Sequence, residues 1–154
     1  MTTSSNVRVR RPHRHEVLVQ QMRNEAGFPT YRDVLLFAAG LGVTQQRRVP
    51  FDDTAEPIRY DTLTDPSFAE ALINMIAAIE YPDDANIMSA ERLAERLHAF
   101  EEYANGGLEY LQEQINTRHQ PVELVVISLV ADALARDGAA KPASVEELLG
   151  GASW

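Results

Sequence analysis

Residues 93–115, LAERLHAFEEYANGGLEYLQEQI, decide the fold. Leu93, Leu97, Phe100, Ala104, Leu108, Leu111 and Ile115 recur at steps of four, three, four, four, three and four, the spacing of one apolar helix face. The phase survives Gly106-Gly107, although two interior glycines cost roughly 2 kcal/mol relative to alanines. Either the helix ends at Asn105-Gly106 and restarts in line, or the glycines admit a close helix crossing; the unbroken phase favours one bent rod.

The same period continues on both sides. Upstream, Asp65-Pro66 opens a stripe of Phe68, Leu72, Ile73, Met75, Ile76 and Ile79 that stops near Tyr81-Pro82 and reads as a helix central to the core. Ser89 is the expected cap of the long helix. Downstream of Pro121, Val122, Val125, Val126, Leu129, Val130, Ala133 and Leu134 fall at i, i+3, i+4, i+7 and i+8; the β-branched residues would suit a strand, but the length favours a helix. Ser144 and Glu147 make a capping box for a last turn before Gly150-Gly151.

Closer to the N-terminus, Val7-Arg8-Val9-Arg10-Arg11 alternates apolar and basic side chains, so an extended backbone turns the valines to one face and Arg8 and Arg10 to the other. Pro12 ends that strand, and His13 to Asn24 reads as a helix with Val17, Leu18 and Met22 on its apolar face. Gly27-Phe28-Pro29 breaks it. Thr30 is the expected N-cap of a second helix, with Asp33 three residues on and Gly40 and Gly42 at its end. No period persists from Val43 to Asp65, which reads as an ordered loop or short extended pieces.

The expected architecture is all-α with a short N-terminal β-strand, an order that suggests a ribbon-helix-helix-like N-terminal part followed by a helical bundle. A single helical domain spans 7–149, with a basic strand-helix-helix part over 7–43 and an acidic helical part over 66–137. Residues 1–6 are expected to form a disordered tail and 150–154 a loose C-terminus. A chain of 154 residues is sized for one domain, and 45 % hydrophobic content is ordinary for a globular one. No cysteine occurs, which excludes disulfides and thiolate chemistry and suits a reducing cytoplasm. The longest apolar stretch, Val122 to Ala131, is too short to span a bilayer, so a cytoplasmic protein without membrane contact is expected.

Charge is distributed unevenly along a chain of net charge -9. Residues 1–50 hold eight arginines against Glu16, Glu25 and Asp33, a local +5, whereas 51–154 hold six bases against twenty acids, a local -14. The basic end points to an anionic partner. Strand, helix, glycine turn and helix is the order of a ribbon-helix-helix DNA reader, in which two chains pair their strands in the major groove. Arg8 and Arg10 would face outward there; the helix start at Thr30 could hold a phosphate with Arg32 beside it, while Arg11, Arg14, Arg47 and Arg48 add positive potential.

Catalytic signals are weak by comparison. His13-x-His15 lies among arginines and lacks a third ligand at a recognisable spacing. The adjacent acids Asp52-Asp53, Asp83-Asp84 and Glu101-Glu102 point apart, and His98 and His119 sit in helical or helix-end contexts. Gly106-Gly107 has no following lysine and hydroxyl of a phosphate loop. No enzyme activity, metal or cofactor is expected.

The stretch Phe28-Pro29-Thr30-Tyr31-Arg32-Asp33-Val34-Leu35-Leu36-Phe37-Ala38-Ala39, followed by Arg48-Val49-Pro50-Phe51 and Glu56-Pro57-Ile58-Arg59, resembles the DNA phosphorothioation-associated protein 4 family. Phe100-Glu101-Glu102-Tyr103-Ala104-Asn105-Gly106-Gly107-Leu108-Glu109 is similar to that family's most distinctive block, and the resemblance runs from about Val7 to Leu129. It implies a place beside the Dnd proteins, which put sulfur for a non-bridging phosphate oxygen of DNA and restrict unmarked DNA in anti-phage defence; it brings no catalytic residues. The expectation is a non-enzymatic DNA-binding accessory, a dimer or tetramer, contacting DNA backbone and other defence-system proteins. A ribbon-helix-helix regulator or antitoxin-like protein, and a structural adaptor of a restriction complex, are the alternatives.

Overall fold

The computed structural model describes residues 6–65 and 67–136. Mainly helical architecture is observed, with helices α1 (Glu16–Glu25), α2 (Tyr31–Thr44), α3 (Tyr60–Leu63), α4 (Phe68–Glu80), α5 (Leu93–Arg118) and α6 (Val122–Arg136), and strands β1 (Arg8–Val9) and β2 (Ile58–Arg59). Residues 1–5 of the tail expected over 1–6, the turn at Ser144–Glu147 and the C-terminus over 150–154 lie outside the described residues, as does Pro66.

Helix α5 is one uninterrupted 26-residue rod, so the unbroken apolar phase across Gly106-Gly107 was the correct guide. It ends where His119 takes a left-handed conformation (φ 54°) and donates its amide to the Ile115 carbonyl, after which Pro121 starts α6. Its first turn differs from expectation. Ser89 precedes a 3-10 turn at Ala90–Arg92 and makes no side-chain cap bond. Thr30, by contrast, caps α2 as its sequence context requires, accepting the Asp33 amide.

Gly40 and Gly42 do not terminate α2, which continues to Thr44. Gly42 instead lies where α2 crosses α5. A Cβ built there would sit 2.0 Å from the Tyr103 carbonyl oxygen, and one at Gly107 would sit 1.8 Å from the Ala38 carbonyl oxygen. The two glycines thus face each other's helix and allow backbone to meet backbone. Around this crossing Leu35, Phe100, Leu108 and Leu111 join Leu18 and Met22 of α1, Leu63 of α3 and Ile73 and Ile76 of α4 in one fully buried core.

β1 pairs antiparallel with β2 of the same chain, Arg8 opposite Arg59 and Val9 opposite Ile58. Backbone bonds from His13 to the Asp53 carbonyl, from Ala55 to the Arg11 carbonyl and from Tyr60 to the Val7 carbonyl extend the pairing beyond the strands. Val9 is fully buried and Arg8 exposed, as the alternation implies. The ribbon-helix-helix expectation is corrected here: a strand of two residues finds its partner in its own chain, with Arg8 opposite Arg59, 51 positions along, instead of in a second chain. Of residues 43–65, expected as an ordered loop or short extended pieces, Val43 and Thr44 belong to α2 and 60–63 form the single-turn α3, while irregular chain and β2 lie between them.

Candidate functional site: an ion-pair clamp on the long helix

On the middle of α5, Glu101 and Glu102 are consecutive and therefore project about 100° apart, so each serves a different arginine. Glu101, its side chain only 6 % exposed, accepts the Arg10 amide at 2.6 Å and the Arg10 Nε at 3.0 Å. Arg10 also lies over the Phe51 ring, 4.8 Å from its centroid. Glu102, also buried, accepts from Arg48 Nε at 2.6 Å. The Arg48 fork reaches Glu80 of α4 through Nη1 at 2.7 Å, and Tyr103 donates its hydroxyl to the other Glu80 oxygen. His98, one turn earlier, places Nε2 3.2 Å from Glu102 and Nδ1 3.8 Å from Glu101.

Ionisation follows these contacts. Burial pushes the Glu101 carboxyl upward against the opposing pull of Arg10. The Tyr103 hydrogen bond holds Glu80 below its ordinary range despite partial burial, with Arg48 assisting. Burial and the neighbouring Glu80 carboxylate raise the Tyr103 phenol to about 12. Burial alone would lower Arg48, but its bonds to Tyr81, Glu102 and Glu80 outweigh that and drive it upward. The cluster is a closed set of charges already engaged with one another, suited to holding segments together.

Two further residues fasten the chain running across α5. Val49 donates its amide to the Glu102 carbonyl, and Asn105 Nδ2 donates to the Val49 carbonyl, both at 3.0 Å. A Cβ at Gly106 would sit 1.9 Å from the Arg47 carbonyl oxygen, so glycine is what lets this segment lie flat on the helix. Each polar or glycine position from Glu101 to Gly107 thereby has a packing or bonding partner.

The eight basic-end residues singled out from sequence do not share one free surface. Arg10 and Arg48 belong to the clamp. Arg11 is buried, bonded to the Glu56 carbonyl at 2.7 Å and to Glu16 at 2.5 Å, with its guanidinium over Tyr31. Arg47 bridges Glu109 at 3.3 Å and Glu113 at 2.9 Å, and Arg14 approaches Glu109 at 3.6 Å. Arg32 bonds the Asp65 carbonyl and lies 3.7 Å from Asp33. Thr30 caps α2 while also donating its hydroxyl to Asp33 at 2.7 Å, which sets a carboxylate at that helix start. Arg8 is exposed beside Arg59. Sequence reading missed Glu80, Glu101, Glu102, Tyr103 and Asn105 as partners; the one available signal was that adjacent glutamates on a helix diverge.

His15 is a further buried ionisable group, 5 % exposed, with no hydrogen-bond partner for Nε2. Burial, reinforced by Arg14, lowers its pKa to about 4 although the Asn105 amide works the other way. It borders a polar pocket of about 360 Å3 with Arg14, Glu109, Gln112, Glu113 and Asn116. Because the folded pKa lies below the unfolded 6.5, unfolding takes up a proton between these values, so stability is full above pH 6.5 and falls as pH drops toward 4. Chemical denaturation at pH 7.5 and pH 5 is expected to show a loss of about 2 kcal/mol from this group, absent in His15→Gln. Among the described residues no group of three or more histidines and acids could hold a metal ion.

The sequence model of the DNA sulphur modification system-associated protein 4 family matches residues 8–146. The chain belongs to this family. No curated protein and no solved structure matches it. In this member of the DNA sulphur modification system-associated protein 4 family the matched stretch begins in β1 and contains the whole clamp. Membership associates the chain with a DNA sulphur modification system. No helix among its described residues is long and apolar enough to cross a membrane.

Proposed function

We propose that this family member is a non-enzymatic accessory of a bacterial phosphorothioation-based anti-phage system and works through protein contacts, as an adaptor. The observation that carries this reading is the engagement of Arg10, Arg11, Arg47 and Arg48 with Glu101, Glu16, Glu109, Glu113, Glu80 and Glu102 of the same chain. Binding to a phosphate backbone gains from cations that replace condensed counterions, and arginines already paired with carboxylates contribute little to it. The clamp's carboxylates are likewise occupied by guanidinium, amide or phenol donors, which favours a structural role over acid-base catalysis.

Backbone contact with DNA is the second reading, favoured by Arg8 and Arg59 being exposed cross-strand neighbours at one edge and by Arg14, whose side chain is 69 % exposed. The deciding experiment has two arms. Tagged chain is purified from cells expressing the neighbouring modification and restriction proteins, and purified chain is titrated with duplex, nicked and sulfur-modified DNA at about 50 and 200 mM salt. Co-purification with those proteins and indifference to DNA are expected. DNA retention that Arg8→Ala, Arg14→Ala and Arg59→Ala together remove, with a shallower salt slope, would overturn the adaptor reading in favour of the second.

A further inference from the structure

An apolar groove runs beside the end of α6. Phe37 and Leu41 of α2 and Leu129, Val130 and Leu134 of α6 line it, joined by Leu72 of α4, and its volume is about 380 Å3. Val130 and Leu134 are 42 % and 63 % exposed, so the described residues leave this wall uncovered. The single charge in the lining, Asp132, is paired with Arg118 at 3.9 Å. The groove therefore calls for aliphatic surface and needs no counter-charge.

Leu134, the last of these lining residues, stands two positions before α6 ends at Arg136. Residues 137–154 continue from that point and lie outside the described residues. Their sequence reads as a connection followed by an apolar face. Residues 137–143, DGAAKPA, hold no large apolar side chain, and Gly138 and Pro142 suit a reversal of direction. The capping pair Ser144 and Glu147 then opens a turn in which Val145, Leu148 and Leu149 fall at i, i+3 and i+4, within an arc of about 100° that excludes both Glu146 and Glu147. Ten positions separate Leu134 from Ser144, a reach of about 33 Å when extended. The stretch of α2 along the groove, Leu36 to Gln45, is only about 14 Å long, and residues 144–149 as helix would occupy about 9 Å.

We propose that the chain's own residues 144–149 seat in the groove between α2 and α6, with Val145, Leu148 and Leu149 as the anchors. Attachment selects this occupant. A segment tethered ten residues from the groove wall is present at an effective concentration of about 1 mM, so a contact with an intrinsic Kd of about 0.1 mM is closed about 90 % of the time. A helix on another molecule at about 1 μM must bind roughly a thousandfold more tightly to take its place. A second copy, itself of net charge -9, gains no attraction that offsets this advantage. The seating holds for an adaptor and for a DNA-binding protein alike.

Amide hydrogen exchange of the full chain, read by mass spectrometry over residues 144–149, tests the seating. Six residues are too few for a helix to persist alone, so slowed exchange there reports docking. The unaltered chain is expected to exchange these amides about tenfold more slowly than a free peptide of the same sequence. Leu134→Glu puts a charge in the groove wall and should restore the free-peptide rate, whereas Ile127→Glu, on α6 but outside the lining, should leave protection in place. A second variant reads the groove itself. At unchanged helix content, Leu148→Ser with Leu149→Ser should tighten binding of an anilinonaphthalene sulfonate dye about tenfold, because the open fraction rises from about a tenth to one. Free-peptide exchange in the unaltered chain, or dye binding equal in both proteins, overturns the proposal. So does protection that survives Leu134→Glu, which puts the segment elsewhere, or protection that rises with protein concentration, which makes a second copy the donor.

Discussion

Gly107→Ala is expected to destabilise the protein by about 3 kcal/mol and lower its melting temperature by roughly 10 °C, although alanine is the better helix former. The new methyl would lie 1.8 Å from the Ala38 carbonyl oxygen, 2.7 Å from the Ala38 carbonyl carbon and 3.0 Å from the Gly42 amide nitrogen. All three are backbone atoms, so no side chain can swing aside and the two helices must separate. The crossing is central to the core, and parting it opens space beside Phe100 and Leu108. Gly40→Ala is the matched control, in the partner helix α2 with no atom within 4 Å of the added methyl, and should stabilise by up to about 1 kcal/mol. Thermal melts of the two variants should move in opposite directions. A Gly107→Ala melt that rises alongside Gly40→Ala would mean that α2 and α5 do not touch at this point.

Glu102→Ala should cost about 3 kcal/mol for a different reason. It leaves Arg48 partly buried with Glu80 as its remaining carboxylate, and His98 without its nearest acceptor. The penalty arises mainly from stranding a charge, so the pair Glu102→Leu with Arg48→Met should be far less damaging than the two single changes added together. Urea denaturation of the four species measures this coupling. A single-mutant loss below about 1 kcal/mol would place the pair in the class of exposed bridges and remove the clamp as a source of cohesion.

These two variants mark where sequence reading succeeds and where it stops. The apolar phases of α1, α2, α4, α5 and α6 were legible because each helix buries a stripe, and burial imposes a period on its own residues. Thr30 was legible because capping is local, completed by Asp33 three positions on. Gly42 was not. A glycine late in a helix signals termination, and its actual cause is the Tyr103 carbonyl, 61 positions away on another helix. The arginines were visible as a cluster in sequence but not as pairs, because charge counts carry no information about which carboxylate a fold delivers. Arg10 and Arg48 met their partners only once α5 had been laid beside both segments. β2 and α3 escaped detection because two and four residues are too few to establish a period.

The fastening of Arg10 to Glu101 spans 91 residues, and it has a consequence for how the chain is made. The N-terminal segment is made first, yet its carboxylate does not exist until the first third of α5 has been translated. At about 5–20 residues per second, roughly 5–20 s separate the two. Throughout that interval the valine-arginine stretch can pair with β2 but lacks its carboxylate, so closure of the clamp waits on the arrival of α5.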